Sequence, residues 1–237
     1  MQTVSPSAST KTQKNLFLRE CYTNYPLKII ALGDSLVYGF GDPEGGGWVE
    51  RLRRQWMSSE NAGHVLYNLG IRGDRAIQVS QRLEQEFRYR GELRNRVPDL
   101  IILSVGVNDS ARLGNSEGKE YTPFPQFQVQ IRELLERSRQ LCPVLFVGMA
   151  PVDRTKMPFL DCFYYNHQDQ YRYKEATKST CEQLGIPYLD IFDLWMARGE
   201  TWARSQLSAD GLHPNSQGYQ SLLQDVLNWE AIQGIRG

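Results

Sequence analysis

Apolar runs of strand length alternate with segments of helical periodicity along most of this chain, and few architectures accommodate that pattern. The runs cover residues 28–33, 64–70, 99–105, 143–150 and 187–191. Between them, apolar residues recur at helical spacing in 48–57 (Val49, Leu52, Trp56), 76–89 (Val79, Leu83, Phe87), 124–140 (Phe127, Ile131, Leu134), 171–184 and 216–229. Strands that alternate with helices form parallel βαβ units. The near-continuous apolar character of the runs predicts burial on both sheet faces. The expected fold is therefore α/β: a flavodoxin-like doubly wound parallel sheet of about five strands in a three-layer α/β/α sandwich.

The length of 237 residues suits one domain with a sizeable core. Residues 1–15 are rich in Ser and Thr, hold Lys11 and Lys14 and lack acids. Residues 1–24 are therefore expected to be a disordered tail, and 25–237 a single domain. A formal net charge of +0 leaves no electrostatic footprint for nucleic acid. No apolar stretch is long enough to span a bilayer, so no integral membrane contact is expected. Cys21, Cys142, Cys162 and Cys181 form no CxxC pair, which argues against a zinc or thioredoxin-like site. Cys142 and Cys181 sit in apolar contexts and read as buried free thiols. With no apolar segment near residue 1, a reducing, cytoplasmic location is the expectation.

In an open parallel sheet the carboxyl ends of the strands line the ligand crevice, so the residues that follow each run deserve reading together. After the first come Gly33, Asp34 and Ser35. The second is followed by Gly70-Ile-Arg-Gly73-Asp74, and the third by Gly106-Val-Asn108-Asp109. Beyond the last strand lies Asp210-Gly-Leu-His213-Pro214. Together these supply a nucleophile, a base, an orienter and oxyanion donors, the parts of acyl transfer.

Each residue also has a plainer reading. Ser35 can be a helix cap, Asn108 a turn former, and Asp-Gly-Leu-His an ordinary turn. The chain has 3 histidines. His64 opens an apolar strand and reads as structural or exposed, and His167 reads as surface, within reach of a substrate. Only His213 has a carboxylate three residues before it. Asp210 can hold its Nδ1–H and leave Nε2 to take a proton from Ser35. The Asn108 amide can point at a developing oxyanion, and Gly73 can offer a backbone N–H that no side chain obstructs. Asp34 and Asp109 are expected to support the site by accepting backbone N–H groups and holding the loops in shape.

These segments resemble the SGNH hydrolase superfamily, the GDSL-type lipase/esterase family. Its blocks match Gly33-Asp34-Ser35-Leu36, the glycine of Ile71-Arg72-Gly73-Asp74, Gly106-Val107-Asn108-Asp109, and Asp210-Gly211-Leu212-His213, in the family's order. Val107 stands where many members carry Gly. The resemblance implies Ser35 as nucleophile, His213 as base and Asp210 as its orienter. It implies an oxyanion hole of Ser35 N–H, Gly73 N–H and the Asn108 side chain. Gly70 competes for the glycine role, but Gly73 is preferred because Asp74 follows it. The chain has no Gly-x-Ser-x-Gly, so the α/β-hydrolase elbow does not apply.

The expected activity is hydrolysis of a small-molecule ester or thioester without a cofactor. The same parts would also serve an acyltransferase. A non-catalytic carbohydrate-binding protein on the same scaffold is the rival reading, prompted by the aromatic segment 150–169 (Phe159, Phe163, Tyr164, Tyr165). The run from Gly39 to Gly47 lacks the Lys-Ser/Thr of a phosphate-binding loop and reads as a turn beside the serine. No metal is expected, because no His or Cys clusters with Asp34, Asp109 or Asp210. Arg72, Arg75 and Arg154 read as solvated surface that could meet an anionic group. Oligomeric state is not legible in the sequence.

Overall fold

The computed structural model describes residues 26–57, 63–91 and 96–235. The expected tail at 1–24, and Cys21 with it, lies outside them. Among the described residues there are seven strands: β1 Lys28–Gly33, β2 Val65–Gly70, β3 Leu100–Ser104, β4 Arg112–Leu113, β5 Val144–Val147, β6 Phe163–Tyr164 and β7 Tyr188–Leu189. Five of them build one sheet in the order β2-β1-β3-β5-β7, and every pairing in it is parallel. This is the doubly wound, flavodoxin-like order expected from the alternation, with its switch point between β1 and β3. Strands β4 and β6 form a separate antiparallel ladder.

Strand β1 lies inside the sheet, between β2 and β3, and its middle residues are apolar. Ile29, Ile30, Ala31 and Leu32 are fully buried, and each large aliphatic side chain contributes about 1.5–3 kcal/mol. At its end, a Cβ on Gly33 would lie 2.0 Å from the Ser104 carbonyl oxygen. Only glycine lets the ends of β1 and β3 come this close.

The helices are α1 Ser35–Tyr38, α2 Gly47–Trp56, α3 Ala76–Tyr89, α4 Phe124–Leu141, α5 His167–Leu184, α6 Ile191–Ala197, α7 Glu200–Ser205, α8 Ser216–Asn228 and α9 Glu230–Gln233. Helix α2 packs on α8, while α3, α4 and α5 pack in a row. Helix α5 begins four residues before the expected 171. The Asn166 side chain accepts the Asp169 N–H at 2.7 Å and starts the helix there. The run at 187–191 is a strand only at Tyr188–Leu189, because the Asp190 carboxylate accepts the Asp193 N–H and opens α6 at Ile191. Among the described residues no helix is long and apolar enough to cross a membrane.

Two of the three histidines bond to backbone groups away from Ser35. His64 is buried: its Nδ1 accepts the Leu27 N–H at 2.9 Å, so Nε2 donates to the Ile235 carbonyl at 3.1 Å. Burial holds its pKa below the ordinary histidine value. His167 is half-buried, not on the surface as expected, with Nε2 2.7 Å from the Val152 carbonyl oxygen. Cys181 is buried as expected, whereas Cys142 is half-buried.

Candidate active site

Strand β1 delivers Ser35 through a sharp turn. The Asp34 carboxylate caps α1 by accepting the Leu36 N–H at 2.9 Å. Gly39, at φ +88°, ends the helix after one turn. The Ser35 N–H occupies the first helical position and so has no intrahelical acceptor.

His213 comes from the chain just before α8. Its Nε2 lies 2.9 Å from Ser35 Oγ, and its Nδ1 lies 2.7 Å from Asp210 Oδ2. The other Asp210 oxygen accepts the N–H groups of Leu212 (2.9 Å) and His213 (3.0 Å). Burial opposes ionisation of Asp210, but the His213 hydrogen bond and these backbone donors outweigh it and hold the carboxyl below its ordinary range. An ionised carboxylate only accepts, so Nδ1 must donate. In the neutral imidazole Nε2 then carries the lone pair, and the Ser35 hydroxyl donates to it. Ser35 and His213 are 4% and 3% exposed, so the hydrogen bond between them is shielded from bulk water, while Asp210 is half-buried.

The second and third loops are clamped together. The Asn108 side chain donates from Nδ2 to the Asp74 carbonyl at 2.8 Å. Its Oδ1 accepts the Tyr165 hydroxyl at 3.4 Å. These two contacts orient the amide and leave its second N–H available. Asp109 is fully buried; it accepts the Ala76 N–H at 3.0 Å and the Thr122 hydroxyl at 2.8 Å. Asp34 and Asp109 thus each accept a backbone N–H, from Leu36 and Ala76 respectively. Burial pushes Asp34 up to about 7, with the charges of Asp109 and Asp74 adding to it. Burial likewise pushes Asp109 up to about 6.

Gly73 and Gly70 differ in a way the sequence left open. The Gly70 N–H is bonded to Asn68 Oδ1 at 3.0 Å, and a Cβ on Gly70 would lie 2.1 Å from the Tyr38 nitrogen. Gly70 is therefore a close-packing glycine against α1. Gly73, at φ +81°, has no protein acceptor for its N–H among the described residues. A Cβ there would meet no protein atom within 4 Å, so the backbone angle rather than crowding requires glycine.

The run from Gly39 to Gly47 folds back on itself: a Cβ on Gly47 would lie 2.3 Å from the Gly39 Cα. Asp42 holds it, accepting the N–H groups of Gly45 and Gly47 at 3.0 Å, the Arg51 guanidinium and the Ser216 hydroxyl. Burial opposes its charge, but Arg51 and these donors hold Asp42 well below the usual carboxylate range. The ring of Phe40, in the same run, packs edge-on to His213 at 4.6 Å between centroids. Phe159 meets the same imidazole at 5.6 Å. Neither Asp42 nor Phe40 was singled out from the sequence. The Gly-Asp-Pro before the later glycines was the available turn signal for Asp42.

Tyr165 of the aromatic segment is buried and held against Asn108, so it presents no open stacking face. Phe163 packs on Tyr121 at 5.3 Å. Arg75 also departs from expectation: it is half-buried, 4.3 Å over the Tyr121 ring and 3.4 Å from Thr122 Oγ1. Arg72 and Arg154 are exposed, as expected. Among the described residues, Glu175, Asp190 and Asp193 lie close enough together to suggest cation ligands. The buried Lys174 ammonium already sits among them, at 2.9, 2.8 and 2.6 Å. A groove of about 960 Å³ between α4 and α5, lined in part by Phe124, Val129 and Tyr171, contains none of Ser35, Gly73, Asn108, Asp210 and His213.

The five-stranded parallel sheet with helices packed around it defines an α/β fold, and the loop after β1 and the chain before α8 meet at Ser35 and His213. The sequence profile of the GDSL-like Lipase/Acylhydrolase family matches residues 31–221, and the chain belongs to that family. Membership supports ester hydrolysis as its activity. The chain is 22% identical over 246 residues to the uncharacterized protein YpmR of Bacillus subtilis (strain 168), spanning 98% of this chain and 91% of that one. The fold is similar to the lipase/acylhydrolase from Enterococcus faecalis, with TM-score 0.67 and 18% identity over 87% of this chain and 96% of that one. It is also similar to Axe2, an acetylxylan esterase from Geobacillus stearothermophilus, with TM-score 0.66 and 16% identity over 88% and 97% of the two chains.

Proposed function

We propose that this protein is a serine esterase that cleaves small-molecule carboxylic esters or thioesters through an acyl-enzyme on Ser35. The observation that carries the reading is the hydrogen-bond chain from Asp210 through His213 to Ser35, at 2.7 and 2.9 Å. Ser35 Oγ attacks the carbonyl carbon while His213 Nε2 takes its proton, and Asp210 stabilises the resulting imidazolium. The tetrahedral oxyanion is received by the N–H groups of Ser35 and Gly73 and by the free N–H of the Asn108 amide. As the tetrahedral species collapses, the bond to the leaving alcohol or thiol breaks and His213 protonates that group. Water then attacks the acyl-enzyme, giving its proton to His213, and Ser35 leaves with that proton restored. Asp34 and Asp109 take no part in proton transfer and act by positioning the loops.

The test is hydrolysis of p-nitrophenyl acetate and butyrate by the protein and by Ser35→Ala. The expected result is loss of turnover by several orders of magnitude in the variant. Turnover at the wild-type level in Ser35→Ala would overturn the assignment.

A further inference from the structure

Residues 71–74 form one tight turn in which Asp74 N–H bonds to the Ile71 carbonyl at 3.2 Å and Gly73 takes φ +81° at the third position. A positive φ there is the mark of a type II turn, with Arg72 at its second corner. Ile71 N–H bonds to the Gly33 carbonyl at 3.0 Å, which fixes the turn to the end of β1. The turn that presents the Gly73 N–H therefore also presents the Arg72 side chain.

Arg72 is exposed, and its guanidinium carbon lies 3.8 Å over the centre of the Phe40 ring. That ring touches His213 at 4.6 Å. The cation is thus one aromatic ring away from the imidazole. Stacking occupies a face of the guanidinium and leaves its in-plane N–H donors free, the edge that binds carboxylates and phosphates bidentately. Other arginines around the site are engaged: Arg51 by Asp42, Arg82 by Asp74, Arg112 by Asp169, and Arg75 by Thr122. Arg72 has no ion pair and no hydrogen bond to any described residue.

We propose that Arg72, stacked on Phe40 at the lip of the site, selects ester substrates that carry a carboxylate or phosphate near the scissile bond. The proposal rests on the esterase reading and names its substrate class. The ester carbonyl meets the Gly73 N–H while the anionic group meets Arg72, and the shared turn fixes the spacing between them.

The experiment compares kcat/KM for four phenyl esters in the wild-type protein, Arg72→Gln and Arg72→Lys. Phenyl acetate is the neutral reference. Monophenyl succinate carries a carboxylate on the acyl side, 4-acetoxybenzoate carries one on the alcohol side, and 4-acetoxyphenyl phosphate carries a phosphate on the alcohol side. For at least one anionic ester, the ratio of its kcat/KM to that of phenyl acetate is expected to fall about tenfold to hundredfold in Arg72→Gln, the worth of a charge-assisted hydrogen bond. Arg72→Lys is expected to recover part of the ratio, because it restores the charge without the fork. Which ester responds identifies the anion and its side of the scissile bond. Ratios that stay within about twofold of wild type for all three anionic esters would overturn this inference alone. Absence of Ser35-dependent cleavage of phenyl acetate would overturn the esterase reading, and this inference with it.

Discussion

The Asp109 carboxylate accepts the Ala76 N–H at 3.0 Å, so the loop after β3 holds the first turn of the helix that follows β2. Asp109 is fully buried and also accepts the Thr122 hydroxyl. Asp109→Ala leaves both donors without their acceptor. A buried unsatisfied donor costs about 1–3 kcal/mol, so the variant should unfold at lower urea with an unchanged m value. Its kcat should fall as well, because the neighbouring Asn108 loses part of its support.

Asn108 carries a sharper kinetic prediction. One amide proton is committed to the Asp74 carbonyl, which aims the other. Removing a single oxyanion donor costs about 10²–10³ in kcat. Asn108→Ala should show that loss in steady-state hydrolysis of p-nitrophenyl acetate, with a much smaller change in KM. An effect confined to KM would indicate a binding role instead.

Asp34 gives a pH dependence of stability. Burial raises its carboxyl from the ordinary 3.8 to about 7 in the folded protein. Between these values the folded state keeps a proton that the unfolded state has lost. The stabilising contribution is therefore complete below about pH 4 and is lost as the pH rises through about 7. Asp109, raised to about 6, contributes with the same sign. Asp34→Asn removes the Asp34 part. Urea unfolding at pH 5 and pH 8 should show the wild type losing more stability than Asp34→Asn over that interval. Equal losses in the two proteins would show that Asp34 does not titrate in that range.

The sheet was legible in the sequence because β1 and β3 each hold an unbroken buried apolar run, Ile29–Leu32 and Leu100–Leu103, and α3 because Val79, Leu83 and Phe87 recur at the helical period. The short α6 was not. Only Asp190 separates Ile191 and Phe192 from Tyr188 and Leu189, and a segment this short has no period to read. In the site, Asp210 and His213 were legible because only two residues of turn separate them. The partners that shape the same imidazole come from far along the chain. Phe40 reaches His213 only because the glycine run folds back at Gly39 and Gly47, and Asp42 bonds to Ser216 across the helix interface. Such contacts depend on the packed fold and leave no local spacing to find. Tyr165 was visible as an aromatic, but its hydroxyl contact to Asn108 was not.

The central claim is that Ser35 is a nucleophile activated by His213. The most direct measurement is reaction with a fluorophosphonate, followed by intact-mass analysis and peptide mapping. The account predicts one adduct per chain on Ser35, absent in Ser35→Ala and formed far more slowly in His213→Ala. An adduct on another residue, or no adduct on a protein that still hydrolyses p-nitrophenyl acetate, would contradict it.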